Sequence, residues 1–174
     1  IVVTRPAAQA RRFIELARAD GAACVPYPTL QIDRIALDDA TRVRLRSRAW
    51  DWAIFTSANA VESALEQCPT PLAARHAAVG RATARTLEQH GIKVDACPAS
   101  ASSEGLLELP EFAALADLGV LLVKGRGGRE LLGDALRARG ADVLELEVYR
   151  RSVTAPTAAA PAAAQTTLKW AHVY

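Results

Sequence analysis

Trp52-Ala53-Ile54-Phe55-Thr56-Ser57-Ala58-Asn59-Ala60-Val61 decides the fold. Four apolar residues run into a turn of hydroxyl and amide side chains, and a helical pattern follows to Gln67. So short an apolar run reads as a strand covered on both faces, and Thr, Ser and Asn at its exit are residues that start helices. The unit is a strand that feeds a helix.

The same rhythm recurs downstream. Ala77-Ala78-Val79 feeds Gly80-Arg81-Ala82-Thr83 and a helix to His90, closed by Gly91, and residues 92–96 read as a weaker strand. Ser100-Ala101-Ser102-Ser103-Glu104-Gly105 leads into Leu106, Leu107 and Leu109. Val120-Leu121-Leu122-Val123 is the clearest buried strand; Lys124-Gly125-Arg126-Gly127-Gly128-Arg129 follows, then a helix to Arg139 that Gly140 stops. Residues 143–148 alternate as a last strand before Tyr149-Arg150-Arg151.

Upstream, Ile1-Val2-Val3-Thr4 is a β-branched run that Pro6 breaks. Residues 7–20 then place Phe13, Ile14, Leu16 and Ala17 on one helical face, Gly21 ends the helix, and residues 23–25 form a second strand. Two strands so close around a helix predict a right-handed βαβ unit. Pro26 and Pro28 open an extended connector over residues 29–35, and residues 38–48 read as a helix. Its Asp38-Asp39 start and Arg42, Arg44, Arg46 and Arg48 later turns suit the helix dipole, the arginines reading as a solvated face. Strands alternating with helices predict an α/β fold with parallel sheets flanked by helices, in which ligands bind beyond the carboxyl ends of the strands. The turns quoted above are therefore the candidate site. After Arg151 the chain turns rich in Ala, Pro and Thr, as a linker or a short helix, and residues 168–174 read as the approach to another strand.

Composition bounds the chemistry. The 174 residues are 51% hydrophobic and 23% charged, enough for a buried core, and 21 basic against 19 acidic residues leave a net charge of +2. That near balance argues against a charge-dominated nucleic-acid binder. No apolar run reaches membrane-spanning length and the first residues lack a signal pattern, so the expectation is a cytoplasmic protein that meets no membrane. Cys24, Cys68 and Cys97 lack metal or dithiol spacing and read as free thiols. His76, His90 and His172 form no pair at one-turn spacing, so no metal site is expected.

The turns carry alternative readings. The glycines of the Lys124 to Arg129 motif would let backbone approach an anion at a helix start, yet the same residues make an ordinary tight turn with solvated charges. The motif lacks the Lys-Ser/Thr of a phosphate-binding Walker loop, and Glu130 stands where a dinucleotide fingerprint needs its third glycine. Thr56-Ser57-Ala58-Asn59 suits plain helix capping, and it also suits a carboxylate held by hydroxyls and free N–H groups. Thr83 and Ser102-Ser103 repeat that arrangement, so three such turns on one sheet edge would form a rim of donors fit for a polyanion. Tyr149, at a strand end before Arg150-Arg151, is either an amphipathic packing residue or a chemical group. No Ser/His/Asp constellation or nucleophile elbow is present.

Taken together and in order, Val3-Thr4-Arg5-Pro6, Phe55-Thr56-Ser57-Ala58-Asn59-Ala60-Val61, Val79-Gly80-Arg81-Ala82-Thr83-Ala84, Ser102-Ser103-Glu104-Gly105-Leu106, Lys124-Gly125-Arg126-Gly127-Gly128-Arg129 and Val148-Tyr149-Arg150 resemble the uroporphyrinogen-III synthase family. The resemblance implies two flavodoxin-like lobes joined by a two-stranded connector. Residues 1–28 would begin lobe one, residues 29–153 would form the connector and the complete lobe two, and residues 154–174 a linker and the start of the return to lobe one, which would be incomplete in this chain.

The implied activity is a cofactor-independent lyase of heme biosynthesis, acting as a monomer on hydroxymethylbilane, a linear tetrapyrrole with many carboxylates. It would lose its terminal hydroxyl as water and close, through a spiro intermediate, with the last ring inverted. The resemblance assigns Tyr149 as the acid that assists hydroxyl departure. Arg5, Thr56, Ser57, Thr83, Ser102, Ser103, Gly125, Arg126 and Arg129 would bind substrate, with no metal. The competing readings are a non-catalytic tetrapyrrole or polyanion sensor of the same fold, and a sugar-phosphate or nucleotide binder using residues 125–129.

Overall fold

The computed structural model describes residues 1–68, 72–128 and 130–154, which fall into two units: Ile1–Asp33 with the described residues from Arg151, and Arg34–Arg150. In the first, β1 (Val2–Val3) and β2 (Val25–Pro26) pair in parallel, Val2 opposite Val25 and Val3 opposite Pro26. Parallel neighbours need a crossover, and α1 (Ala7–Ala19) supplies it. Its inward residues Ala10 and Ile14 join Val3 and Cys24 in a small core, so Cys24 acts as a packed hydrophobe.

The second unit is built around one sheet, with strand order β3-β7-β6-β4-β5. Its strands are β3 (Leu30–Arg34), β4 (Trp52–Phe55), β5 (Arg75–Ala78), β6 (Gly119–Gly125) and β7 (Asp142–Val153), of which β3 up to Asp33 and β7 from Arg151 are counted with the first unit. β4 pairs in parallel with both β5 and β6, and β6 with β7. Along the β3–β7 ribbon, Ile35 N–H donates to Val148 O at 2.9 Å and Thr154 N–H to Thr29 O at 3.1 Å. One index rises as the other falls, so this edge pair is antiparallel.

All four residues of β4 are buried, as a strand with a layer on each face must be. Trp52, Ile54, Val120 and Leu122 share a cluster with Leu106 of α5 (Ser103–Leu107), Leu132 and Leu136 of α6 (Leu131–Ala138), and Phe112. The alternate residues, Ala53, Phe55, Leu121 and Val123, are equally buried on the opposite face. There α3 (Ala58–Leu65) packs against β6 and α4 (Arg81–Gln89). Parallel sheets flanked by helices are thus the fold that the strand-turn-helix rhythm predicts.

Three details differ from the sequence reading. The strand expected over residues 92–96 is only an isolated bridge between Ala77 and Ala96, because the Asp95 carboxylate takes the His76 N–H at 3.0 Å where a strand would offer a carbonyl. β7 runs on to Val153, its far half paired along β3. The arginines that follow Asp38, the N-cap of α2 (Asp39–Arg46), are not simply solvated: Arg44 and Arg48 both reach Asp142, at 2.8 and 3.2 Å, and Arg42 Nε donates to Leu37 O. The Ala/Pro/Thr-rich linker and the last strand at 168–174 lie outside the described residues.

Candidate functional site

Register brings the turns together. Phe55 lies opposite both Ala78 and Val123, so β4, β5 and β6 deliver their exits to one edge of the sheet. At the first exit, Thr56 N–H and Oγ1 both donate to Val123 O, at 3.1 and 3.3 Å. This turns the Thr56 hydroxyl toward the sheet backbone. Ser57 is the N-cap of α3, its Oγ accepting from Ala60 N–H at 3.2 Å. The capping reading of this turn is therefore realised by Ser57.

At the second exit Val79 N–H donates to Phe55 O, and α4 starts behind Gly80, which has no side chain to cap it. The first N–H groups of a helix have no partner within it, so this terminus presents bare donors and the positive end of the helix dipole. Thr83 sits in that first turn, 5% exposed, its hydroxyl without a hydrogen-bond partner among the described residues. A Cβ on Gly80 would lie 2.9 Å from Ala101 Cβ, so the loop before α5 is pressed against this turn. In that loop Ser102 caps α5, accepting from Gly105 N–H at 3.0 Å, and Ser103 is the first residue of the helix. The turn that carries Thr83 and the loop that carries Ser102 and Ser103 therefore lie side by side.

The glycine-rich exit of β6 is different. Lys124 is buried and its Nζ donates to Glu145 Oε2 at 2.9 Å, while Arg137 donates to Glu145 Oε1 at 2.7 Å. Burial pushes the Glu145 carboxyl up, and the bonds from Lys124 and Arg137 outweigh it and hold the group below the usual range. Arg126 Nε donates to Glu147 Oε2 at 2.8 Å, and its N–H to Tyr149 O at 2.8 Å. Lys124 and Arg126 therefore already carry carboxylate partners. Arg129 lies outside the described residues.

Tyr149 is 3% exposed, and its Oη stands 3.0 Å from Ser57 Oγ. It reaches there through an irregularity in the β6–β7 ladder. Lys124 pairs with Glu147 and Gly125 with Tyr149, leaving Val148 as an extra residue. Two consecutive buried residues, Val148 and Tyr149, are the sequence-level trace of this bulge, and alternation alone does not reveal it.

Arg5 belongs to the first unit. It follows β1 and lines a groove of about 530 Å³ with Arg11, Glu15, Arg18 and Pro26 among others. Among the described residues no three His, Cys, Asp or Glu side chains gather as a metal site, and no helix is long and apolar enough to cross a membrane. What the second unit offers chemically is an edge of hydroxyls and helix N-termini, those of α4 and α6 without a side-chain cap, with a phenol held beside them.

Comparison with known proteins concerns the chain as a whole. The family described as uroporphyrinogen-III synthase HemD matches residues 11–173. A putative uroporphyrinogen-III synthase of Methanothermobacter thermautotrophicus is 31% identical across 90% of this chain and 64% of its own length. The uroporphyrinogen-III synthase of Salmonella typhimurium is 33% identical across 87% of this chain and 64% of its own. The chain thus spans just under two thirds of these relatives. Among solved structures, a uroporphyrinogen III synthase mutant of Thermus thermophilus aligns with TM-score 0.61 at 23% identity, over 88% of this chain and 63% of that one. The Helicobacter pylori enzyme aligns with TM-score 0.55 at 24% identity, over 79% and 60%. At that identity the structural likeness concerns the fold.

Proposed function

The chain belongs to the uroporphyrinogen-III synthase family, and from that premise we propose that the natural protein closes hydroxymethylbilane with loss of water and inversion of the last ring. Tyr149 is the acid: its O–H bond breaks as the substrate C–O bond breaks, leaving water, a tyrosinate and an azafulvenium cation. Attack by the substituted carbon of the last ring forms the spiro intermediate. This fragments and recloses, and the proton lost when the ring regains aromaticity returns to Tyr149. Every proton is accounted for without a cofactor or a partner subunit.

The observation that carries the reading is the edge itself, where the exits of β4 and β5 with Ser57, Gly80 and the first turn of α4, the Ser102 loop pressed against Gly80, and Tyr149 lie at the same end of the sheet. Helix N-termini bind carboxylates without fixed cations, which suits a substrate with many acid groups and a chain of net charge only +2. Holding the acid arms fixes which carbon lies nearest the electrophile, so binding energy is spent on orientation. Incubation of the purified natural protein with hydroxymethylbilane is the test, with the type III isomer as expected product. Type I product alone, or tight product binding without turnover, overturns the proposal.

A further inference from the structure

We propose that Gly125 and Ser57 are positioning residues that hold the Tyr149 hydroxyl in place, rather than ligands of the substrate. For its catalytic part this rests on the reading of Tyr149 as the acid. A Cβ built on Gly125 would stand 2.5 Å from Tyr149 Cζ and 2.8 and 2.9 Å from the two Cε atoms. Those are the ring atoms at and beside the hydroxyl, so the ring's reactive end lies flat on the Gly125 backbone. The glycine is needed for space and not for conformation, since Gly125 is absent from the residues of positive φ.

The bulge at Val148 sets Tyr149 opposite Gly125, and the ladder fixes the tyrosine from the other side through Arg126 N–H on Tyr149 O. Ser57 completes the seat. Its Oγ is anchored by the Ala60 N–H at the start of α3, so the oxygen 3.0 Å from the phenol belongs to a fixed element. The phenol is therefore held through its ring by β6, through its backbone by the ladder, and through its hydroxyl by α3. A side chain at residue 125 would meet the Tyr149 ring before it met anything bound at the edge, which is why the glycine is assigned to the tyrosine.

The test uses the natural full-length protein and two independent variants. Gly125→Ala removes the seat, and Ser57→Gly removes the hydroxyl while keeping a residue that starts helices nearly as well. Nitration of tyrosines followed by mass spectrometry reads the geometry: Tyr149 stays unmodified in the parent and becomes modified in Gly125→Ala, with the half-exposed Tyr27 modified in both. Kinetics read the consequence. Gly125→Ala lowers kcat by about 10²-fold, the cost of misplacing a reacting group by an ångström, with KM within about twofold. Ser57→Gly lowers kcat in the same sense, and Ser57→Thr restores it. In a Tyr149→Phe background Gly125→Ala lowers kcat no further, because no hydroxyl remains to misplace.

Continued shielding of Tyr149 in Gly125→Ala overturns the proposal. So does a rise in KM at constant kcat, or losses that multiply in the Phe background. Full activity of Tyr149→Phe removes the acid and with it the catalytic part of the assignment; the nitration pattern then still decides whether Gly125 seats the ring.

Discussion

Lys124 Nζ lies 2.9 Å from Glu145 Oε2, so the first cation of the glycine-rich turn is spent inside the fold before any ligand arrives. Its side chain is 8% exposed and that of Glu145 25%, and Arg137 shares the same carboxylate. Conserving the charge balance of this triad is a matter of stability, and its disruption gives the first expectation.

Lys124→Met leaves Glu145 partly buried with one partner instead of two. We expect a loss of about 2–3 kcal/mol, under the ~3–5 of a fully buried pair because Arg137 and solvent remain. Urea denaturation checks it, as a lower midpoint at unchanged slope. Adding Glu145→Leu recovers most of the loss, since an apolar pair replaces a stranded charge.

Thr83→Val separates binding from folding. The Thr83 hydroxyl has no hydrogen-bond partner among the described residues, so the isosteric change leaves the melting temperature nearly unaltered. If the hydroxyl meets a substrate carboxylate, its removal costs ~1.5–3 kcal/mol of binding, a KM rise of about 10- to 100-fold in a steady-state assay of the natural protein. Thr83→Ser retains the parent KM.

Ser102→Ala removes the cap of α5 and destabilises by about 1 kcal/mol, whereas Ser102→Gly costs a few tenths. Thermal melts of the two variants distinguish a capping role, in which Gly nearly matches Ser, from a packing role, in which it does not.

Acidification destabilises the chain in two stages. The His76 imidazole is held below 6.5 by burial, partly opposed by the Asp95 carboxylate. Its folded form therefore resists protonation, and its contribution is complete above 6.5 and lost as pH falls through the lowered folded value. The Asp95 carboxyl is held below 3.8 by its hydrogen bond from Lys93 and then by the His76 N–H, and Glu145 is held below 4.5. Both are lowered groups, so their contributions are present above those values and disappear below them. Melting temperature measured against pH should thus fall first below about 6.5 and again in the acid range, and His76→Gln should abolish only the first decline.

Phe112 tests the core. It is fully buried in the 3-10 turn Pro110–Phe112, its ring centroid 4.9 Å from that of Trp52. Phe112→Ala should cost about 3–5 kcal/mol, read by chemical denaturation.

Much of the fold was legible because burial leaves a periodic mark. Trp52 to Phe55 is apolar at every position because helices cover both faces of β4, and Ser57 and Ser102 stand where helix starts need a hydroxyl. The strand expected at 92–96 failed because a single side chain, Asp95, competed for a strand's hydrogen bond, which pattern does not register. At the site, the turns at Ser57 and Gly80 were legible from spacing, since each follows a strand, whereas the segment before Ser102 holds only a bridge at Ala96. The commitments of Lys124 to Glu145 and of Arg126 to Glu147 were not, because their partners lie twenty-one residues away across a ladder.

The chain's own order of residues marked the buried strands β4 and β6, the hydroxyls that start α3 and α5, and the hydroxyls and glycines of the turns after Phe55, Ala78 and Gly125, because these follow from local propensity and alternation. Only the tertiary structure decided that Tyr149 rests on Gly125 and reaches Ser57. A one-residue bulge between two strands sets that register, and register is a property of the pair that neither strand encodes by itself.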